Sequence, residues 1–208
     1  MSKFITTIFI FISLAISQFS HAGLISFDTK SLNGSPLTSD LKASWLSNAN
    51  QVNSRNIDEF TLIDIGRNRI GHLNINFSIA EQGFWSFDFG LDAGFGAELF
   101  VDGNLIVDRT DDLWWARNWQ HSDVFSLDTF DFAQGQHNID VFFAEKCCDG
   151  LSTVQFTNHS TQETSILSSN ALEAAAFISE PAIAAVPEPA TAVLFALGAL
   201  GLILRRKA

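Results

Sequence analysis

Basic side chains are scarce in this chain: 12 Lys and Arg stand against 23 Asp and Glu, a formal net charge of −11. Lys3, Arg205, Arg206 and Lys207 lie at the two ends, so the middle of the chain is more acidic still. Phosphate binding needs a basic face, and this composition excludes a nucleic-acid partner. Divalent cations suit so many carboxylates better, although the same acids also serve plain solubility. Cysteine is rarer yet. The only two, Cys147 and Cys148, are adjacent, which does not match the spaced ligands of a zinc site. They can close a small ring with each other or pair between chains. In an oxidising compartment they would not stay reduced, and pairing with each other is the expectation. Catalytic signatures are also missing. There is no Gly-x-Ser-x-Gly, no His-Glu-x-x-His and no phosphate loop, and the 5 histidines are scattered.

Long apolar runs are confined to the ends. Residues 4–16 are apolar but for Thr6, Thr7 and Ser13; they follow Lys3 and precede Ser20-His21-Ala22. A charged start, an apolar run and a small-x-small site make a secretion signal, residues 1–22, cut after Ala22 by signal peptidase. Near the other end, Pro187-Glu188-Pro189 precedes the uncharged stretch 190–204, which Arg205-Arg206-Lys207 closes. At about 1.5 Å per residue that stretch reaches roughly 22 Å, short of the roughly 30 Å hydrocarbon core. A short transmembrane segment with a basic cytoplasmic stop suits a transient membrane signal. Residues 187–208 resemble the PEP-CTERM sorting signal on these three features. The resemblance implies processing by an exosortase-type protease. It also implies passage through the inner membrane to the cell surface or matrix of a Gram-negative, exopolysaccharide-making bacterium. An address says nothing of the cargo's chemistry.

Between the ends the chain reads as strands and turns. There are 20 Phe and 5 Trp but no Tyr, and Phe and β-branched residues favour strands. Residues 69–80 alternate, with Leu73, Ile75, Phe77 and Ile79 on one face. Residues 83–90 alternate through Trp85, Phe87 and Phe89. Residues 97–101 and 105–108 flank Asp102-Gly103, a tight-hairpin signal. Residues 136–145 alternate through Ile139, Val141 and Phe143, and Leu99 and Val101 complete the predicted core. Residues 24–27, 60–65, 124–127 and 151–157 read as further strands, and residues 40–46 as a local helix. Short, evenly spaced strands predict an all-β, antiparallel, jelly-roll-like sandwich over residues 23–158. Residues 159–186, rich in Ser, Thr, Ala and Glu, read as a stalk with a helical turn or two near 172–178.

Two further resemblances rest on the segment 83–156. Its order of alternating strand, Leu99-Phe100-Val101-Asp102-Gly103 hairpin and Gly135-Gln136-His137-Asn138-Ile139-Asp140-Val141 strand is similar to the protective-antigen-type lectin-like β-sandwich. Sugar-binding members of that family hold calcium with two successive aspartates. Asp92 matches the first of these, and Ala93 stands at the second, removing a hard ligand. Asp108, with Asp111 and Asp112, offers other carboxylates, so Asp92 and Asp108 are the candidate calcium ligands. Cys147-Cys148-Asp149-Gly150 resembles the Cys-Cys-x-Gly signature of one PEP-CTERM protein group. A disulfide there would stiffen the turn and present a flat apolar surface.

The candidate ligand site is the neighbouring loop. Trp114, Trp115 and Trp119 can stack on a pyranose face, while Asp111 and Asp112 bind hydroxyls. The same rings can instead pack beneath a long loop. Adjacent Trp114 and Trp115 cannot both point inward from one strand. These features predict an exported, non-enzymatic module that binds a carbohydrate, with exopolysaccharide the expected partner. The alternative is a structural matrix protein of the biofilm without a sugar site, and a secreted hydrolase stands behind both.

Overall fold

The computed structural model describes residues 25–148 and 150–176. The expected alternation becomes strand β1 (Ile25–Ser31), helix α1 (Leu41–Ser47), and strands β2 (Asn53–Asn56), β3 (Arg69–Ile79) and β4 (Gly83–Gly90). Strands β5 (Asp92–Ala93), β6 (Ala97–Val101), β7 (Asn104–Arg109), β8 (Leu113–Trp114) and β9 (Phe125–Phe132) follow. The chain continues as β10 (Gly135–Glu145), β11 (Thr153–Asn158), β12 (Glu163–Ile166) and α2 (Ser169–Ala176).

One sheet runs β2-β1-β3-β10-β6-β7 and the other β12-β11-β4-β9, with β5-β8 as a two-stranded ribbon beside them. Every strand pair is antiparallel. The protein is therefore the antiparallel β-sandwich that its alternation predicts. Leu73, Ile75 and Phe77 of β3, with Val141 and Phe143 of β10, meet Trp85, Phe87 and Phe89 of β4 in one core. The Phe77 and Phe87 rings lie 6.0 Å apart across the sheets. Asp102 and Gly103 turn β6 into β7 with φ of 49° and 80°, the doubly positive geometry of a two-residue hairpin loop.

The outer face of the larger sheet carries a second apolar cluster under α1: Leu32, Leu41, Trp45, Ile70, Phe100, Phe142 and Ala144. Asp40 caps α1 by accepting from Ala43 N at 2.6 Å. The buried carboxylate of Glu98 accepts from Leu41 N and Lys42 N, both at 2.9 Å, and ties that end to β6.

Three expectations need correction. Residues 60–65 are not a strand: Leu62 takes φ 48°, and only Ile63 bridges, to Ser152. β9 continues past residue 127, because the ladder shifts register between Trp85 and Phe87. A bulge of that kind inverts the alternation between Leu127 and Phe130. The expected stalk from residue 159 is, as far as residue 176, part of the domain. Here β12 pairs with β11, and Leu167 and Leu172 sit in the main core. Among the described residues no helix is long and apolar enough to cross a membrane. The signal at 1–22, the remaining stalk and the tail at 187–208 lie outside the described residues.

Candidate functional site

The ribbon β5-β8 positions the site. Its register sets Asp92 opposite Trp114 and Ala93 opposite Leu113. Directly opposed residues project to one side, and neighbours along a strand to the other. Ala93 and Leu113 are accordingly fully buried, while the Trp114 side faces solvent with the residue 59% exposed. This gives a physical reason for Ala93: a carboxylate at that position would be buried in the core without a partner. The missing second aspartate thus follows from this ribbon, whose Ala93 position faces the core.

The three tryptophans part ways. Trp115 is only 5% exposed, and its Nε1 donates to Leu151 O at 2.5 Å. Its ring rests on Gly90, where even a Cβ would lie 2.6 Å from the indole. Ala116 and Arg117 then take φ of 53° and 56°, which reverses the chain. Trp119 folds back to 4.7 Å from the Trp115 ring. Trp114 is left as the outward ring, edge-on to His121 at 6.2 Å, while its backbone N–H donates to Asp123 Oδ2 at 3.0 Å.

The expected acids are also separated. Asp111 accepts from Arg109 Nε at 2.8 Å and from Nη2 at 2.5 Å. That guanidinium hydrogen bond holds its carboxyl below the usual range, so this group is already occupied. Asp112 is exposed near the ribbon. Asp108 pairs with Glu98 on the outer face of the larger sheet, beside α1, away from the ribbon. Among the described residues no group of three or more His, Cys, Asp or Glu side chains is arranged to hold a metal ion.

Asp92 is the hub that sequence spacing could not reveal. Its backbone N–H donates to Ser152 Oγ at 3.1 Å, and its Oδ2 accepts from Gly150 N at 2.6 Å. Nearby Glu145, 3% exposed, accepts from Cys147 N at 2.7 Å and Gly94 N at 3.1 Å. Cys147 and Cys148 form a disulfide, exposed at the surface beside these contacts. Burial, and then the Glu145 carboxylate, push the Asp92 carboxyl up to about 6, against the Gly150 N–H that favours its ionised form.

A raised carboxyl means that the folded state binds the proton more tightly than the unfolded chain. Stability therefore falls as pH rises from about 4 to about 6, and the cost is complete above 6. A shift of that size would amount to roughly 3 kcal/mol unscreened; Asp92 is partly solvated, so about 1–2 kcal/mol remains. Asp92→Asn keeps an acceptor for Gly150 and removes the charge. It is expected to melt higher than the wild type at pH 7 and to match it below pH 4. Denaturant titrations at both pH values check this, and equal stability at pH 7 would contradict it.

Comparison with known proteins adds the address. Residues 185–207 match the PEP-CTERM protein-sorting motif. This exported chain thus carries the sorting signal of Gram-negative surface proteins, one that implies exosortase processing. No curated protein matches the sequence. Among solved structures, the PA14 domain of the MpAFP antifreeze protein is 13% identical, with a TM-score of 0.48 over 70% of this chain and 87% of that one. The A domain of epithelial adhesin 6 from Candida glabrata, solved with Galb1-3GlcNAc, is 12% identical, with a TM-score of 0.42 over 70% of this chain and 84% of that one. An anti-sigma factor domain-containing protein from Clostridium clariflavum is 11% identical, with a TM-score of 0.48 over 71% of this chain and 46% of that one.

Proposed function

We propose that this protein is a non-catalytic surface module that binds a glycan, exopolysaccharide being the expected one, through the Trp114 side of the β5-β8 ribbon. The observation that supports it most is a large ring left 59% exposed opposite a partly buried carboxylate, Asp92. The C–H face of a pyranose is apolar, so stacking takes both surfaces out of water. A neighbouring carboxylate accepts from the sugar hydroxyls. Asp112 supplies a second acceptor, and Trp119 lies behind as support for Trp115.

This mode needs no calcium, because ring stacking and hydroxyl-to-carboxylate hydrogen bonds supply its contacts directly. A glycan array with the full chain in detergent, with the host's own exopolysaccharide included, tests the proposal. Trp114→Ala is expected to weaken binding at least about tenfold, equivalent to roughly 1.4 kcal/mol, and binding is expected to persist in chelator. Unchanged binding by Trp114→Ala would sink the stacking role. Absence of binding to every glycan would favour the structural matrix reading, for which the burial of Trp115 and the pairing of Asp111 speak.

A further inference from the structure

We infer that the Cys147–Cys148 disulfide and Gly150 form a second wall of the Trp114 site, and that Asp92 and Glu145 are the positioning residues that hold it. The site so built takes neutral rather than carboxylated sugars. This rests on the glycan reading and names the chemistry of the same site.

The wall is located by Asp92. Its side chain leaves the ribbon on the same side as Trp114, and it ends on Gly150 N at 2.6 Å. The disulfide segment and the indole therefore flank one carboxylate. Contact with Gly150 leaves no space: a Cβ there would lie 2.2 Å from Asp92 Cγ. Any side chain at 150 would push the wall off its support, which explains the glycine of the Cys-Cys-x-Gly signature. Glu145 supplies the second tether. It ends β10, in the middle of the larger sheet, and holds Cys147 N on one oxygen and Gly94 N on the other. The wall is thus pinned to rigid strands at both ends. Both cysteines are exposed, and sulfur is soft and polarizable, a fitting second surface for an apolar sugar face.

The sugar class follows from the charges. Those acting on the Asp92 carboxylate are Glu145, Asp112 and Asp64, all acidic. Of the cations nearby, Arg109 is bonded to Asp111 and Lys146 Nζ lies 6.0 Å over the Phe95 ring, which leaves the exposed Arg117 of the loop as one positive charge against these acids. A uronate would meet like charge, and neutral hydroxyls would not.

The test titrates the full chain in detergent with a neutral polysaccharide and with a uronate-bearing one of similar length. The proteins are the wild type, the wild type with its disulfide reduced by a phosphine, Gly150→Ala, Asp92→Ala and Asp92→Asn. Melting curves identify which variants are folded, and the reduced wild type tests the wall without any substitution. Wild type should prefer the neutral polymer. Reduction, Gly150→Ala and Asp92→Ala should each weaken it at least about tenfold, while Asp92→Asn, which keeps an acceptor for Gly150, should lose less than Asp92→Ala and gain affinity for the uronate polymer. Equal binding by wild type, reduced wild type and Gly150→Ala overturns the wall and leaves the glycan reading intact. A wild-type preference for the uronate polymer overturns the sugar class. No binding by wild type to either polymer, or to any array glycan, overturns the glycan reading and this inference with it.

Discussion

Truncating Phe87 to alanine is expected to destabilise the domain by about 3–5 kcal/mol. Phe87 is fully buried at the centre of β4. Its ring lies 5.8 Å from Phe156, 6.0 Å from Phe77 and 6.5 Å from Phe132, so it touches both sheets. The rings around it are held by separate strands, and they cannot collapse into the gap without shifting the ladders. Chemical denaturation of both proteins checks this. A loss under about 1 kcal/mol would mean that the two sheets do not meet at this ring.

Leu172→Ala is expected to cost about 2–5 kcal/mol, a large effect for a residue in what the sequence presents as a stalk. Leu172 is fully buried in the main core. The helix that carries it is fastened by Asn158 Nδ2 donating to Ala175 O at 3.1 Å, while the preceding Leu167 N–H donates to Val154 O at 2.8 Å. A stalk residue would give no change, since no packing would be lost. The same denaturation experiment therefore decides where the domain ends, and an unchanged midpoint would place the boundary before α2.

The sandwich was legible because its central strands alternate cleanly. β3, β4 and β10 bury one face over most of their length, the other being covered only where α1 packs on Ile70, Phe142 and Ala144, and period-2 patterning with burial on one side is hard to mistake. Three places hid from that reading. β2, Asn53-Ser54-Arg55-Asn56, is exposed throughout and has no apolar face to reveal it. β9 changes phase at a bulge, so Phe130 and Phe132 look out of step with Phe125 and Leu127. α2 overlaps the helical turn expected near 172–178, but its docking on the core stayed hidden, because one buried leucine is a weak signal in a short, alanine-rich stretch.

The site was legible in part. Of two adjacent tryptophans one had to face outward, and Trp114 does. Which carboxylates matter could not be read, because the partners are set by the fold. Asp92 finds Gly150 and Glu145 across long stretches of chain, and Asp111 is claimed by Arg109 only two residues away. Ala93, read as a missing ligand, is a residue facing the core.

The most direct measurement uses the indole N–H signals of the 5 tryptophans in a nitrogen-15 spectrum of the full chain, followed as the host's exopolysaccharide is added. Each signal is assigned by single substitution. The Trp114 signal is expected to move with saturation. Trp45 and Trp85, both buried, should stay in place, as should Trp115, bonded to Leu151 O. A titration that leaves Trp114 in place, or that shifts buried indoles while sparing it, would contradict a glycan site built on this ring.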